Sequence, residues 1–480
     1  MTGGDEEVSK KLDMKAYFRA GSAAYQLRDF SSAKTLFHCQ LELALDDGNG
    51  RAMLQKTDTR LREEQHGDYA FDLITDKLSK ANPPVHVADF TAKTEVKTST
   101  GRGRGLFATI DIRAGELVLA EKAFCVPFPH EEQYFNGVKY NVRTGTLALG
   151  PSALWKEVVG KLHRHPSLLP KITALSGIWD DMCTSQTFIE GVAVIDSFQI
   201  HDIIVRNAYG ASAPSKRQAK TGFGFQTPSE DLVSGLWCYA SLINHACVSN
   251  TRRIFIRDLL VFRGARPIVK GEEITTAYSM SQNFDERQEE QEELWGFRCK
   301  CLLCVAESAD PATVRKRKKL LEQETNTFIK THQLRDTGPA PSSATVNKAE
   351  KLAKRIKDTY DAEGYAGVPR NAALRLQYRL IQARHDQRNG SECLAAVAEF
   401  FKLLAYSHVV VDEHEVDVRP GKGSVVTEEA VRAVGYAAEI MAITGYGRLA
   451  AKLEGLAREF YLIVNGMMDG FVGSPGHMLR

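Results

Sequence analysis

Three of the nine cysteines in this sequence fall within six residues, at Cys299, Cys301 and Cys304. The spacing C-x-C-x-x-C supplies three thiolates, whereas a structural zinc ion usually takes four ligands. Cys247 stands beside His245 with no other evident role, and we predict that it is the fourth ligand. A zinc ion held in this way would fix the segment 299–304 against the segment 244–250. Redox chemistry or accidental clustering is the alternative explanation of the three close thiols.

Two further motifs contain residues suited to binding a ligand. Gly103-Arg104-Gly105-Leu106 is dense in glycine, which permits positive φ angles and a close approach of the backbone to a ligand. A glycine-rich hairpin turn is the simpler explanation of this motif alone. The polar segment 241–250 contains Asn244, whose amide carries donors and an acceptor that suit the edge of a purine. A capped polar turn is the alternative there.

A last motif, residues 270–278, predicts a glycine turn that leads into a strand ending at Tyr278. A phenolic hydroxyl at a strand end can orient a polar group. A structural tyrosine is the default explanation if this motif is taken alone.

Short strands are predicted to position these motifs. Residues 96–100 alternate and are rich in β-branched side chains, and residues 251–278 predict a hairpin because apolar runs flank Arg257-Asp258. Between them, residues 127–207 are predicted to be helical. Residues 210–230, rich in Gly, Ser and Pro, are predicted to form a mobile loop.

Helices are predicted on both sides of the strands. Residues 14–46 predict a helical hairpin that resembles one tetratricopeptide repeat (TPR), and an ordinary amphipathic hairpin is an equal alternative. A single repeat cannot bury its own apolar face, so this hairpin must pack on another part of the chain. Beyond a linker at 336–343, apolar residues at helical spacing predict antiparallel helices.

The composition is that of a soluble globular chain. The 480 residues include 43% hydrophobic and 25% charged residues, with a net charge of +2. We therefore expect no direct nucleic-acid or membrane binding driven by bulk charge. The N-terminus lacks an apolar signal region, which predicts a cytoplasmic and/or nuclear location. The basic run 315–319 is either an import signal, a nucleic-acid patch or a solvated helix face.

In order, spacing and content, these motifs resemble those of the SET-domain protein lysine methyltransferases. G-R-G-L matches the first SET motif, N-H-x-C-x-x-N and G-E-E-I-x-x-x-Y match the two core motifs, and F-x-C-x-C-x-x-C matches the post-SET zinc tail. The resemblance covers about residues 95–306. The long segment between the SET halves is similar to the SET-and-MYND subfamily. Residues 127–207 contain a single cysteine, Cys183, so the MYND zinc module is absent. A TPR-like N-terminus in front of a split SET domain is more similar to the fungal TPR-and-SET proteins.

The resemblance implies an α+β fold, in which a SET-type β-clip of short strands contains a helical insert and is flanked by helical TPR-like N-terminal and C-terminal regions. The predicted parts are a helical TPR-like region at 1–88, a split SET domain at 89–306 with its insert at about 127–207 and its post-SET zinc tail at 295–306, a basic helix and linker at 307–343, and a helical C-terminal domain at 344–480.

The resemblance also implies roles for individual residues. S-adenosylmethionine is the implied cofactor, with the backbone near Gly103 and Arg104 beside its methionine part. Asn244 and His245 would contact its adenosine and methionine ends, and Phe297 would cover the adenine. Tyr278 is implied as the catalytic residue and as a cofactor contact, because it lines the lysine channel. The implied zinc ligands are Cys247, Cys299, Cys301 and Cys304.

These roles agree with the chemistry of methyl transfer from a sulfonium, an in-line displacement that needs alignment more than a strong acid or base. A lysine with a pKa near 10.4 must be deprotonated, and a dry aromatic channel beside the sulfonium would depress its pKa. Ala246 and Ser249 stand where many family members have Ser and Pro. Both lie beside the implied cofactor contacts, and we predict that they are tolerated.

The leading hypothesis is therefore a protein-lysine N-methyltransferase whose partner is a protein substrate carrying a lysine, with a histone tail as one candidate. A second hypothesis is a catalytically weak SET/TPR scaffold that uses its helical repeats to bind other proteins. A third is a methyltransferase acting on a non-lysine or small-molecule acceptor.

Overall fold

The computed structural model describes most of the chain, and every structural statement below refers to the described residues, which are 3–76, 85–127, 136–141, 146–177, 188–189, 192–212, 232–278, 281, 283–332, 340–468 and 471. Short strands occupy the middle of the chain, and helices lie on both sides of them. The predicted α+β class with helical flanks is therefore confirmed.

The described N-terminal region forms α1 (Gly3–Gln26), α2 (Phe30–Leu43), α3 (Gly48–His66) and α4 (Phe71–Asp76). Helices α1 and α2 form the predicted hairpin, and the Asp29 side chain caps α2 by accepting a hydrogen bond from the Ser32 N–H at 3.0 Å. At Gly21 an added Cβ atom would lie 2.9 Å from the buried ring of Phe37. The small residue thus permits the close helix crossing. That the hairpin is a TPR unit stays a prediction.

Three strands precede the insert, namely β1 (Thr94–Ser99), β2 (Gly103–Ala108) and β3 (Leu117–Lys122). Strands β1 and β2 pair antiparallel, with Ser99 opposite Gly103. Gly101 and Gly103 have φ angles of +72° and +75°, which residues with a side chain rarely adopt. The glycine-rich run therefore forms a hairpin turn, which is one of its two sequence explanations.

The described part of the insert consists of β4 (Asn136–Asn141), β5 (Thr146–Pro151), α5 (Ser152–Arg164), α6 (Leu169–Thr173), β6 (Phe188–Ile189), β7 (Val192–Ala193) and α7 (Ser197–Asn207). Its helices agree with the prediction, whereas the hairpins β4–β5 and β6–β7 were not predicted. The helical spacing of residues 155–162 was extended over the whole of 127–207, which hid β4 and β5, whereas β6 and β7 have only two residues each and give no period-two signal. Cys183 lies outside the described residues.

After the insert the described chain forms β8 (Tyr209–Ser212), β9 (Leu232–Gly235), β10 (Asn244–His245), β11 (Thr251–Ile256), β12 (Leu259–Gly264) and β13 (Thr275–Thr276). Most of the predicted loop at 210–230 lies outside the described residues. Strands β11 and β12 form the predicted hairpin around Arg257-Asp258, and β12 also pairs with β3. Strands β10 and β13 pair in parallel, which brings two of the sequence motifs side by side.

The described remainder forms α8 (Phe284–Trp295), α9 (Leu302–Ala309), α10 (Pro311–Lys319), α11 (Asn326–Thr331), α12 (Ser343–Lys357), α13 (Asn371–Asp386), α14 (Gly390–Leu403), β14 (His408–Val411), β15 (Val416–Arg419), α15 (Glu428–Ile443) and α16 (Gly447–Asn465). A π-helical turn, Leu320–Thr325, joins α10 to α11. The C-terminal region is helical as predicted, and the hairpin β14–β15 is an addition. The domain boundaries themselves stay predictions.

The C-terminal helices are attached to the three-stranded sheet by a buried cation. Arg263 on β12 donates hydrogen bonds to the Gly466 carbonyl at 2.7 Å and to the Gly115 carbonyl at 2.9 Å. Gly466 ends α16 and packs on Ile254, where an added Cβ atom would lie 2.9 Å from the isoleucine side chain. The end of the chain therefore supports the strands that carry the motifs. Among the described residues, no helix has the length and apolar character needed to cross a membrane.

Candidate active site and cysteine cluster

The turn that leads into β10 is fixed by a buried carboxylate. Glu121 on β3 accepts hydrogen bonds from the Tyr239 N–H at 2.9 Å and the Ala240 N–H at 2.7 Å. Burial raises the pKa of Glu121 to about 7, although the two backbone donors act in the opposite direction. The Tyr209 hydroxyl donates to the Ala240 carbonyl at 2.8 Å. The chain therefore enters residues 243–245 from a turn that is held on both sides.

Asn250 fixes the segment that follows β10 to residues 272–275, which lead into β13. Its Oδ1 accepts a hydrogen bond from the Thr275 N–H at 2.8 Å, and its Nδ2 donates to the Glu273 carbonyl at 2.8 Å and to the Glu272 side chain at 3.1 Å. The residue is only 1% exposed, so these bonds replace those that the amide would make to water. Asn250 ends the polar segment 241–250, but we did not predict it as a site residue.

Asn244 lies against the glycine motif. Its Nδ2 donates to the Arg104 carbonyl at 3.1 Å and to Glu273 Oε1 at 2.7 Å. An added Cβ atom on Gly105 would lie 2.6 Å from that glutamate oxygen. Gly105 is therefore the glycine whose small size the site requires, while Gly103 forms the hairpin turn. The Arg104 side chain instead hydrogen-bonds the Ala174 carbonyl of the insert.

His245 connects the strands to the helical tail. Its Nδ1 accepts a hydrogen bond from the Tyr278 N–H at 2.9 Å, so in the neutral ring Nε2 carries the hydrogen. That Nε2 lies 3.2 Å from Cys247 Sγ and 2.9 Å from Gln291 Nε2. Within the described residues Gln291 Oε1 is buried without a hydrogen-bond partner. A 180° rotation of the Gln291 amide places its oxygen on the His245 N–H. This rotation removes the contact between two N–H donors and gives the buried Gln291 oxygen a hydrogen-bond partner.

Tyr278 ends the strand region with its hydroxyl held in place. The hydroxyl donates to the Ile243 carbonyl at 2.6 Å, and burial raises the pKa of Tyr278 above its usual value. The phenol therefore stays neutral near pH 7 and keeps its oxygen lone pairs as acceptors. This geometry suits orientation of a bound group rather than proton abstraction.

Aromatic rings surround Tyr278 and His245. The Phe297 ring centroid lies 5.8 Å from that of His245 and 6.4 Å from that of Tyr278, and the Trp295 ring lies 5.1 Å from Tyr278. Gly296, with a φ of +73°, ends α8 and turns the chain into Phe297. The predicted residues Tyr278, His245 and Phe297 are thus brought together, and Trp295 joins them.

The four predicted cysteines come together at the start of α9. The sulfur atoms of Cys247, Cys299, Cys301 and Cys304 all lie within 4.8 Å of one another. Tetrahedral zinc with Zn–S bonds of about 2.3 Å sets its sulfurs about 3.8 Å apart, and Cys247 Sγ lies 3.5 Å from Cys304 Sγ and 3.9 Å from Cys299 Sγ. The donor set and its spacing therefore fit a structural zinc ion with no open position.

Helix α8 carries the groups that support this cluster. The Gln288 amide accepts a hydrogen bond from the Cys299 N–H at 3.0 Å and donates to the Cys299 carbonyl at 3.3 Å. Arg287 lies 4.0 Å from Cys304 Sγ and pairs with Glu307 on α9. A metal at the cluster would therefore order α8, and with it Gln291 and the aromatic rings beyond.

Sequence reasoning missed several residues that shape the site. Glu273 and Asn250 stand inside motifs that the sequence had already marked, so a signal was present. Arg102, whose Nη1 lies 3.7 Å from Glu273 Oε2 and 3.5 Å from the His245 carbonyl, and Gln291 on α8 carry no local signal. Their positions follow from long-range packing alone.

A family model described as "SET domain" matches residues 103–279, from the start of β2 to just beyond Tyr278. The match confirms the predicted resemblance to SET-domain lysine methyltransferases over this part of the chain. The matched segment includes the strands β10 and β13 and the site between them.

The chain is similar to several proteins with related names. It is 28% identical to a "Methyltransferase" of Gibberella zeae over 95% of this chain and 63% of that protein. It is 32% identical to "Histone-lysine N-methyltransferase SMYD3" of Mus musculus over 17% of this chain and 19% of that protein. It is 34% identical to "Protein-lysine N-methyltransferase SMYD4" of Mus musculus over 16% of this chain and 10% of that protein. The chain thus spans less than two thirds of the length of these relatives.

Among solved structures, the SET domain of LSMT bound to lysine and AdoHcy aligns with 13% sequence identity and a TM-score of 0.26, over 77% of this chain and 87% of that chain.

Proposed function

We propose that this protein is an S-adenosylmethionine-dependent protein-lysine N-methyltransferase. The observation that supports this most directly is the neutral Tyr278 hydroxyl, fixed on the Ile243 carbonyl at 2.6 Å beside His245 and Phe297. Tyr278 and His245 lie in the segment that matches the SET domain, Phe297 follows α8 in the tail, and the similar proteins carry methyltransferase names.

The residues present suit the cofactor. The Phe297 ring offers a flat face for adenine. Because Asn244 Nδ2 already donates to the Arg104 carbonyl and to Glu273, the Asn244 Oδ1 is left to accept a hydrogen bond from a purine N–H. The Arg102 guanidinium, which is exposed and close to the His245 carbonyl, suits the carboxylate of the methionine part. When bound, S-adenosylmethionine supplies an electrophilic methyl group on a sulfonium sulfur.

The chain's own residues supply orientation and exclude water. The Tyr278 O–H donates to the Ile243 carbonyl, and its oxygen is left to accept a hydrogen bond from a lysine amine. Rings of Tyr278, Trp295 and Phe297 around that amine lower its pKa, because an apolar setting disfavours the ammonium form. No acid–base side chain is needed, since the amine loses its proton before transfer and alignment then sets the rate.

The proposed substrate is a lysine side chain of a protein, with a histone tail as one candidate. The proposed location, cytoplasmic and/or nuclear, is compatible with either a histone or a non-histone target. Binding of other proteins by the helical flanks is proposed only as the scaffold alternative.

Titration calorimetry of the zinc-loaded full chain with S-adenosylmethionine tests the proposal, followed by mass spectrometry of cell extract incubated with the chain and labelled cofactor. We expect cofactor binding that Asn244→Ala weakens about tenfold or more, since a charged or buried hydrogen-bond partner is lost. The matched control is Asn326→Ala, whose amide pairs with Arg375 far from the site. Methyl label on protein lysine would support the proposal.

Two outcomes would overturn it. An absence of binding heat in a folded, zinc-loaded sample would favour the scaffold hypothesis. Label found on a non-lysine residue or a small molecule would refute the proposed acceptor while leaving methyl transfer intact.

A further inference from the structure

Positive charge is concentrated in the helices that follow the cysteine cluster. The described residues 311–332 and 340–357 contain eleven lysines and arginines against three acidic residues, a net charge of +8. The whole chain carries only +2, so the remaining residues carry −6. The net charge of the whole chain predicts no nucleic-acid binding driven by bulk charge, but that average conceals a strongly basic region.

Most cations of this region are not neutralised by neighbouring acids. Each of the three carboxylates is paired with a cation, and the pairs are Glu322–Lys318, Glu324–Arg355 and Glu350–Arg384. Among the remaining cations, Arg317 is buried and Lys357 pairs with Glu399. The other seven side chains are exposed and form no ion pair with any described residue, and together they are called the basic strip: Arg315, Lys316, Lys319, Lys330, Lys348, Lys351 and Lys354.

On α10, three cations of the basic strip share the exposed side of the helix. An α-helix turns about 100° per residue, which places Arg315, Lys316 and Lys319 within about 100° of one another. The buried Arg317 lies on the other side. The backbone stays helical from α10 through the π-helical turn into α11, which carries Lys330. At about 1.5 Å per residue, the strip is therefore about 20 Å long.

Helix α12 carries the rest of the basic strip. Lys348, Lys351 and Lys354 lie within about 120° of one another on the exposed side of α12. Arg355 is on that same side, and its guanidinium binds both carboxylate oxygens of Glu324 in the π-helical turn, at 2.7 and 3.0 Å. The apolar sides of the two helical segments share one hydrophobic cluster. The basic strip is therefore one surface that extends over two packed helical segments.

We infer that the basic strip binds the phosphate backbone of a nucleic-acid duplex, a function separate from the proposed methyl transfer. Each strand of a duplex carries one phosphate per about 3.4 Å of its axis, so a strip of about 20 Å faces about six phosphates of one strand.

The surface chemistry favours a nucleic acid over an acidic protein as the partner. Among the described residues between Val305 and Ile443, no large hydrophobic side chain is exposed. A protein–protein interface is centred on such side chains, whereas binding to a phosphate backbone needs only positive charge.

Fluorescence anisotropy of a labelled DNA duplex of about 20 base pairs, titrated with the full zinc-loaded chain at several salt concentrations, tests the inference. We expect the logarithm of the association constant to fall with the logarithm of the salt concentration with a slope of about −3 to −5, because each phosphate contact contributes about −0.9. The combined change Arg315→Gln, Lys316→Gln and Lys319→Gln should weaken binding about tenfold or more and make the slope shallower by about two to three.

The matched control removes the same charge from exposed lysines of the N-terminal helices, by Lys10→Gln, Lys15→Gln and Lys56→Gln. It should bind the duplex as the unaltered chain does.

A second strip variant, Lys348→Gln with Lys351→Gln and Lys354→Gln, tests the α12 side and replaces the first variant if that one does not fold. It should also weaken binding and make the salt dependence shallower.

An RNA duplex of the same length distinguishes the two sources of this backbone, and binding of either duplex supports the inference. Failure of the unaltered chain to bind either one would overturn it, and so would equal losses in the strip and control variants. Tighter binding to poly-glutamate or to phosphatidylserine vesicles than to the duplexes would assign the strip to an acidic protein or a membrane instead. Because these measurements need no S-adenosylmethionine, a failure of the proposed methyltransferase activity would be recognised separately by calorimetry with that compound.

Discussion

His245 is held by two regions that use different kinds of interaction. On its Nδ1 side are the parallel strands, which Asn250 and Glu121 fix by hydrogen bonds to backbone groups. On its Nε2 side are the cysteine cluster and α8, where four thiols lie within 4.8 Å of one another. Four thiolates this close repel one another unless a cation neutralises them. The strand region therefore forms with the fold, whereas the tail region is complete only with a metal.

The largest expected effect is the loss of the tail on Cys301→Ser. Metal analysis should show one zinc per chain before the change and none after it, because binding at a structural site supplies on the order of 10 kcal/mol. Hydrogen exchange should then rise sharply in α8 and α9. Protection in β11 and β12 should stay close to that of the unaltered chain, since their ladder does not involve the sulfurs.

Cys39→Ser on α2 is the matched control, because Cys39 lies outside the cluster. It should leave zinc content and exchange unchanged. Retained zinc and a protected tail in Cys301→Ser would contradict the four-ligand interpretation, and parallel loss of protection in β11 and β12 would show that the two regions are not separable.

The strand region should respond in the opposite way to Asn250→Ala. Loss of the bonds to Thr275, Glu273 and Glu272 leaves buried groups unpaired, which should lower the free energy of unfolding by about 3–5 kcal/mol. Urea unfolding measures this change. Zinc content of the folded protein should remain at one per chain.

Ser249→Ala is the control that shows whether any change next to Asn250 lowers the free energy of unfolding. The Ser249 hydroxyl donates only to the Thr251 carbonyl within the described structure, at 3.1 Å, so its removal should cost about 1 kcal/mol or less. An equal cost for the two variants would mean that Asn250 does not fix these segments together.

The two regions also differ in how far the sequence predicts them. Asn244, His245, Tyr278 and the cysteines stand in short segments of unusual composition, so local pattern suffices to find them. Glu121 and Gln291 are ordinary residues in a strand and a polar helix, and only packing brings them to the turn at Tyr239 and to His245. The helical flanks and main hairpins follow from periodicity. The hairpin β14–β15 was missed because its strands have only four residues each, and β4–β5 was missed because the helical spacing that follows it was extended over the whole insert.

Tyr278→Phe should separate chemistry from folding. The ring contacts to His245, Trp295 and Phe297 remain, but the hydroxyl that accepts from the substrate amine is lost. Turnover should fall by roughly 10-fold to 100-fold, the scale of a misaligned reacting group, while the affinity for S-adenosylmethionine stays nearly unchanged. Steady-state kinetics and calorimetry on the same sample measure both.

Tyr69→Phe provides the comparison, since the Tyr69 hydroxyl is also buried and donates to a backbone carbonyl, that of Ala88, at 2.8 Å. Tyr69→Phe should lower the free energy of unfolding by about as much as Tyr278→Phe, without affecting turnover. An unaltered rate in Tyr278→Phe would remove Tyr278 from the mechanism.

The smallest expected effect lies where the two regions meet. Gln291→Leu removes the acceptor for the His245 Nε2–H, which should lower the free energy of unfolding by about 1 kcal/mol and reduce turnover, because the ring that holds the Tyr278 backbone loses one of its supports. Gln291→Glu keeps an oxygen acceptor and should restore most of the rate. Gln377→Leu is the matched control, a buried helical glutamine whose amide donates to the Ala396 carbonyl at 2.9 Å. It should lower stability to a similar extent but leave turnover unchanged. If Gln291→Leu and Gln377→Leu behave alike in both measurements, Gln291 only packs, and its contact with His245 does not couple the tail region to the strand region.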